Sequence, residues 1–307
     1  MAETAPIPAP SKARVFARRA GSTVFLWGLI GVAFASMWAW AYLGLITLLT
    51  VVATREYFRM LEAAGLRCFP RFGLGLALVY CGVLHAGFFR LAGGSLAGWD
   101  LFAISVALCG AFILQMREPI RGIESLVAVM LTLGGFVYVA LLFNFTAKLL
   151  FLAPSWQLAS GKVAAPAAIL VMWLLAVTKF TDMGAYLVGS LIGRHKMIPH
   201  VSPGKTWEGL GGALVFSQLA GCGLYAWLPQ QLAVLGGWGH VVFLGFLLAI
   251  LAVLGDLAES VLKRALQAKD SGRMLPGIGG ALDLIDSICF TAPALYFYLQ
   301  WVLLPAP

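Results

Sequence analysis

The sequence predicts an all-α polytopic membrane protein of about nine transmembrane helices, with two polar loops on the cytoplasmic face forming its site. Three observations carry that prediction. Hydrophobic residues make up 61% of the 307-residue chain and charged residues 11%, with a mean hydropathy of +0.91; a soluble globule of this size cannot bury so much apolar surface. Apolar stretches near the length that crosses a bilayer recur from end to end, and only helices satisfy their own backbone there. The basic residues, finally, fall in every second interval between those stretches, as the positive-inside rule requires.

Taken in order, residues 1–20 are a basic, disordered N-terminal segment, and 21–307 form a single domain. The candidate spans are 22–36, 38–54, 72–92, 99–116, 124–146, 163–181, 209–228, 239–255 and 287–304. The charge-free run from Gly21 to Thr54 would measure about 50 Å as one helix. The hydrocarbon core is about 30 Å thick, so the run divides into a short hairpin. With the N-terminus inside, all but Arg90, Lys148 and Lys162 of the 21 Lys and Arg lie on the cytoplasmic face. An unbroken first span would instead split the Arg14–Arg19 and Arg55–Arg71 clusters across the membrane. A cleavable signal ending near Ala33–Ala35 is the less favoured reading, because the apolar run continues past it. The expected location is a bacterial inner (plasma) membrane, multi-pass.

Composition also excludes. The net charge of +8 has this topological origin and implies no nucleic acid. Cys68, Cys81, Cys109, Cys222 and Cys289 form no C-x-x-C pair and read as small core residues. His85, His195, His200 and His240 form no zinc pattern. A metal here would be held by oxygen.

Polar residues concentrate in two segments, about 182–208 and 256–286. The first holds Asp182, beside the expected end of a span, and then Ser202 and Lys205 in a Ser-Pro-Gly-Lys-Thr turn. A Walker A loop would need glycine where Pro199 stands, so that reading fails. Ser202 and Thr206 can cap the next helix, with Glu208 in its first turn; a helix N-terminus also suits phosphate. The second segment packs Lys263, Arg264, Lys269, Asp270, Arg273, Asp283 and Asp286 between two spans, with Asp256 at its start. Charge beside a bilayer is costly and marks function. Its carboxylates can hold a divalent cation, its basic groups phosphates, and its glycines let backbone approach both.

These two segments, in this order, resemble the phosphatidate cytidylyltransferase (CDP-diacylglycerol synthase) family. The C-terminal run is similar to that family's S-x-x-K-R-x-x-x-x-K-D-x-G, P-G-H-G-G and D-R-x-D pattern. Matching positions are Ser260, Lys263, Arg264, Lys269, Asp270, Gly272, Pro276, Gly277, Gly279, Gly280, Asp283 and Asp286. The upstream D-x-G-A-Y and S-P-x-K-T-W-E-G blocks, and the Arg-Glu-Tyr-Phe-Arg-Met around Glu56, are similar too. Two positions depart from the pattern: Ile278 replaces its histidine and Leu284 the arginine of D-R-x-D.

The resemblance implies transfer of a cytidylyl group from CTP to phosphatidate, giving CDP-diacylglycerol and pyrophosphate for phospholipid synthesis. The nucleophile, a phosphate monoester with a second pKa of about 6, is largely dianionic near neutral pH. No strong base is needed, and the demand is for charge stabilisation. In this reading Asp256 and Asp283 hold Mg²⁺, with Asp286 supporting that shell or a second cation. Catalysis falls to these aspartates and Lys263. Arg264, Lys269 and Arg273 hold phosphates, Lys205 and Ser202 reach in from the first segment, and Asp182 orients cation or nucleotide. Ser260, Asp270, Gly279 and Gly280 complete the substrate site. Membrane lipids surround it, and the resemblance suggests a homodimer. The alternatives are a CTP-dependent lipid or polyprenol kinase, which would release CDP, and a catalytically weak lipid- or nucleotide-binding relative.

Overall fold

A computed structural model describes residues 28–90, 98–152, 161–268, 270–272 and 279–304. The expected basic segment 1–20 lies outside the described residues, as do Lys269, Arg273, Pro276, Gly277 and Ile278.

Residues 28–36 are helical, and the chain breaks at Met37, whose φ of 53° no helix accommodates. That is where the long charge-free run was predicted to divide. Helix α1 (Ala39–Ala63) follows, then α2 (Pro70–Arg90), α3 (Trp99–Gln115) and α4 (Ile123–Gly135). Helix α4 runs through a π-helical stretch, Phe136–Leu141, toward the short α5 (Phe145–Leu150). After α6 (Ala165–Ile192) come two short strands, β1 (Lys196–Ile198) and β2 (Ser202–Thr206), then α7 (Trp207–Trp227), α8 (Trp238–Ala265) and α9 (Ala281–Tyr298), which ends in a π-helical turn, Leu299–Leu303.

Six helical stretches among the described residues are long and apolar enough to cross a bilayer: Pro70–Phe88, Ile123–Leu150, Ala165–Ile192, Trp207–Trp227, Trp238–Ala265 and Ala281–Leu303. The predicted segments 22–36, 38–54 and 99–116 match helices that do not meet that measure. Of the first only residues 28–36 are described, α1 carries Arg55, Glu56, Arg59 and Glu62 toward its end, and α3 has 17 residues.

The main core joins α1, α2, the π-helical stretch, α5, α6 and α9 around Phe58, Phe136, Leu149, Leu170, Trp173 and Leu282. Packing is close enough between α6 and α7 that a Cβ on Gly184 would collide with the carbonyl of Gly212, and the reverse. The Trp173 indole N–H also donates to the Gly221 carbonyl at 3.0 Å across that pair. Small residues thus bring two helices to backbone contact without help from hydrophobicity, which lipid does not supply.

The two polar segments are not loops at their starts. Helix α6 continues through Asp182 to Ile192, and α8 through Asp256 to Ala265. Hydrophobic runs ended the predicted spans at 181 and 255, yet carboxylates persist in helices when they face one another and lysines across a bundle. Between α6 and α7 the strands form an antiparallel ribbon, pairing Lys196 with Thr206 and Ile198 with Ser202.

Candidate active site

Asp256, Glu259 and Lys263 stand at i, i+3 and i+7 on α8, so they share one face. Asp283 and Asp286 share a face of α9 in the same way, and Asp182 comes from α6. These side chains converge on a cavity of about 270 Å³ lined by Asp182, Asp256, Glu259, Lys263, Asp270, Asp283, Asp286 and Ser287. The six carboxylates among these described lining residues repel one another, so the surface favours cations beside it.

Within the cavity the carboxylates fall into two groups. One oxygen each of Asp256, Glu259 and Asp286 lie within 4.8 Å of one another, so this acidic cluster can hold a cation. Glu259 and Asp286 are buried, at 1% and 5% exposure. Oε1 of Glu259 and the hydroxyl of neighbouring Ser287 are buried without a hydrogen-bond partner. Orphaned oxygens beside converging carboxylates are the donor set that a hard cation takes.

Asp283 belongs to a second group. Its Oδ1 accepts from Lys263 Nζ at 2.8 Å, and its Oδ2 from the Ser271 hydroxyl at 2.8 Å and the Gly280 N–H at 2.6 Å. Lys263 also reaches Glu259 Oε2 at 2.6 Å, which ties the two groups together. The pairing expected for the metal, Asp256 with Asp283 and Asp286 in support, therefore differs from the trio that meets. Asp283 is engaged by a lysine and by the N-terminus of α9, and Glu259 is the third member of the trio.

Glu56, on α1, closes the same helix end by accepting from the Leu282 N–H at 3.0 Å. Burial pushes the Glu56 carboxyl above its usual range, while the N–H groups of Leu282 and Ala281 pull the other way. Two carboxylates at one helix start complement its free N–H groups and dipole. Gly279 enters that start with φ of 120°, in the region that favours glycine, and a Cβ there would press on the Asp283 carboxylate.

The first polar segment does reach the second. Lys205 Nζ lies 2.9 Å from Asp256 Oδ2 and donates to the Val253 carbonyl at 3.0 Å. Arg264 Nε donates to the Val201 carbonyl at 3.3 Å, pinning the ribbon to α8. Thr206 caps α7, its hydroxyl accepting from Gly209 N–H at 3.1 Å. Ser202 lies in β2 instead. Glu208 in the first turn of α7 accepts from the Arg194 and His195 N–H groups and pairs with the His195 ring at 2.6 Å.

The structure thus lines one cavity with Asp182, Asp256, Lys263, Asp270, Asp283 and Asp286, and attaches Lys205 to it through Asp256. Ser202, Ser260, Arg264, Gly279 and Gly280 are outside that lining. Sequence reasoning missed Glu259, Ser287 and Glu56 as site residues. Glu259 had a signal: it follows Asp256 by three residues, the same spacing that linked Asp283 to Asp286.

The chain is 33% identical over 265 residues, 85% of its length and 80% of the relative's, to the uncharacterized protein YnbB of Escherichia coli (strain K12). It is 46% identical over 129 residues to a phosphatidate cytidylyltransferase of Brucella suis biovar 1 (strain 1330), covering 42% of this chain and 46% of that protein. A phosphatidate cytidylyltransferase of Helicobacter pylori (strain ATCC 700392 / 26695) is 41% identical over 136 residues, 44% of this chain and 48% of the relative. The matches to phosphatidate cytidylyltransferases therefore span about half the length of those proteins. The cytidylyltransferase family model matches residues 17–302, nearly the whole chain, and the protein belongs to the cytidylyltransferase family.

Proposed function

We propose that this protein transfers the cytidylyl group of CTP to phosphatidate, forming CDP-diacylglycerol and releasing pyrophosphate. The observation that carries the reading is the meeting of the Asp256, Glu259 and Asp286 oxygens in a carboxylate-lined cavity flanked by Lys263 and Lys205. Such a surface suits a triphosphate that arrives with metal, and a neutral ligand would gain little from it.

Asp256, Glu259 and Asp286 would hold Mg²⁺, and their all-oxygen donor set fits that ion. When bound, the ion supplies Lewis-acid stabilisation of charge on the phosphates of the nucleotide. The chain's own residues do the rest. Lys263, fixed between Glu259 and Asp283, presents a cation of set position to the phosphate chain. Lys205 brings a second from the ribbon. Ser271, Gly280 and Glu56 hold Asp283 and the start of α9, so the carboxylates keep their places as charge shifts. Lys269 and Arg273 are assigned to phosphate contacts on sequence alone. The phosphatidate monoester attacks as its dianion, so the site needs no histidine at position 278.

In this reading the cavity opens on the cytoplasmic face of a bacterial inner membrane, since a soluble nucleotide and a lipid must both reach it. The test is transfer from α-labelled CTP to phosphatidate by the purified protein, with Mg²⁺ and with EDTA. Labelled lipid and pyrophosphate formed only with metal are expected. Release of CDP with transfer of the γ-phosphoryl, or CTP binding without any turnover, would overturn the proposal.

A further inference from the structure

Lys179 is a cation beside the cavity to which the reaction above gives no task. It precedes Asp182 by three residues on α6, so the two share a face, with Lys179 Nζ 3.5 Å from Asp182 Oδ2. The same nitrogen donates to the backbone carbonyl of Leu284, in the first turns of α9, at 3.1 Å. One ammonium therefore bridges α6 to α9 at the rim of the carboxylate cavity, and its charge acts on Asp286 as well as Asp182.

Leu284 is also one of the two positions where the chain departs from the pattern it resembles, with an apolar side chain in place of arginine. The lost charge has a replacement within reach of that residue's own carbonyl. The neighbouring lysines are more firmly engaged. Lys205 grips Asp256 at 2.9 Å and Lys263 grips Glu259 and Asp283 at 2.6 and 2.8 Å. Lys179 holds its carboxylate more loosely, and a third of its side chain is exposed. Meanwhile Lys263 is the sole basic residue among the described residues that line the cavity, against six acids. A nucleotide triphosphate approaching such a wall is repelled unless further positive charge stands close behind it.

We propose that Lys179 is a positioning residue that supplies from α6 the positive charge absent at position 284. It holds Asp182 against the start of α9 and offsets the charge of Asp182 and Asp286, so that a nucleotide polyphosphate can approach the cation site. The inference rests on the nucleotide-site reading given above.

The sign of its effect separates this role from a merely structural one. Lys179→Met keeps the length of the side chain and removes its charge. The carboxylates left behind then attract a divalent cation more strongly and a nucleotide less. The experiment measures Mn²⁺ binding to the purified protein by the paramagnetic resonance of the free ion, and separately the KM for CTP. In Lys179→Met the Mn²⁺ Kd should fall and the CTP KM rise, each by about fivefold to tenfold, the scale of one partly screened unit charge. Lys179→Arg should stay near wild type, and adding Leu284→Arg to Lys179→Met should restore the CTP KM. Unchanged or weaker Mn²⁺ binding in a folded, monodisperse Lys179→Met protein overturns the proposal, as does failure of both arginine variants to recover wild-type values. A wild-type protein that binds Mn²⁺ yet makes no labelled lipid would sink the catalytic reading instead, and the Mn²⁺ comparison would still decide the role of Lys179.

Discussion

Lys205 Nζ stands 2.9 Å from Asp256 Oδ2, so a residue of the β1–β2 ribbon closes on a carboxylate well inside α8. The contact joins segments some fifty residues apart and makes one site of two polar runs. It also holds Asp256 beside Glu259 and Asp286 while leaving the lysine, 16% exposed, near the space a phosphate would enter. Lys205→Met should lower kcat/KM for CTP about a hundredfold, the usual scale for losing one charge-assisted contact to a transition state. Lys205→Arg should recover part of it. If steady-state kinetics of Lys205→Met stay within about twofold of wild type, the lysine only anchors the ribbon.

Glu259 and Asp283 make opposite predictions, because one meets the carboxylate trio and the other is occupied by Lys263, Ser271 and the Gly280 N–H. Glu259→Gln should weaken Mn²⁺ binding by about tenfold to a hundredfold, as expected for loss of an anionic ligand. Asp283→Asn keeps an acceptor for Gly280 and should change the Mn²⁺ Kd far less, while turnover drops because Lys263 loses one of the two carboxylates that fix its position. A Mn²⁺ titration in which Asp283→Asn is the more damaging of the two would return Asp283 to the metal site.

Much of this was legible in the sequence, for identifiable reasons. Hydrophobic runs marked most helix cores within a few residues, and the excess length of Gly21–Thr54 foretold the break at Met37. Helix ends were less legible, since Asp182 and Asp256 read as the close of a span. In the fold they lie within α6 and α8, where facing lysines and carboxylates make the charge tolerable. Much of the cavity's lining followed from charge density, though Glu259 and Ser287, which also line it, were not among the expected residues. Its internal pairing did not, because which carboxylate meets which depends on the angle between α8 and α9. No periodicity could show that Glu56, more than two hundred residues upstream, would cap Leu282.

Glu56 provides a pH test. Burial raises its pKa above the ordinary 4.5, so the folded protein holds the proton more tightly than the unfolded chain. The associated stability is fully present below the unfolded value and is lost as pH rises through the folded one. Thermal melts in detergent should therefore show wild type losing stability relative to Glu56→Gln as pH climbs from about 4.5 toward neutrality. Glutamine still offers an oxygen to Leu282 and carries no charge to bury. Parallel pH profiles for the two proteins would show that Glu56 is ionised without cost.

The last prediction concerns a pair remote in sequence from the site residues. Lys148, expected between spans, instead lies in the last turn of α5 and pairs with Asp100 at the start of α3. Asp100 also accepts from the Tyr80 hydroxyl at 2.8 Å, and Lys148 sits over the Phe145 ring at 4.2 Å from its centroid. The two partners are unequally buried: the lysine side chain is 8% exposed and the aspartate 31%. Removing either charge strands the other, and the stranded charge costs more where water cannot reach it. Asp100→Asn, which leaves the ammonium buried, should destabilise by about 3 kcal/mol. Lys148→Met leaves a carboxylate with Tyr80 and some solvent, and should cost nearer 1 kcal/mol. Denaturant titration in mixed micelles reads both, and the double variant should lie closer to wild type than Asp100→Asn does. The reverse order of the single variants would mean that Asp100, through Tyr80, is the member the fold depends on.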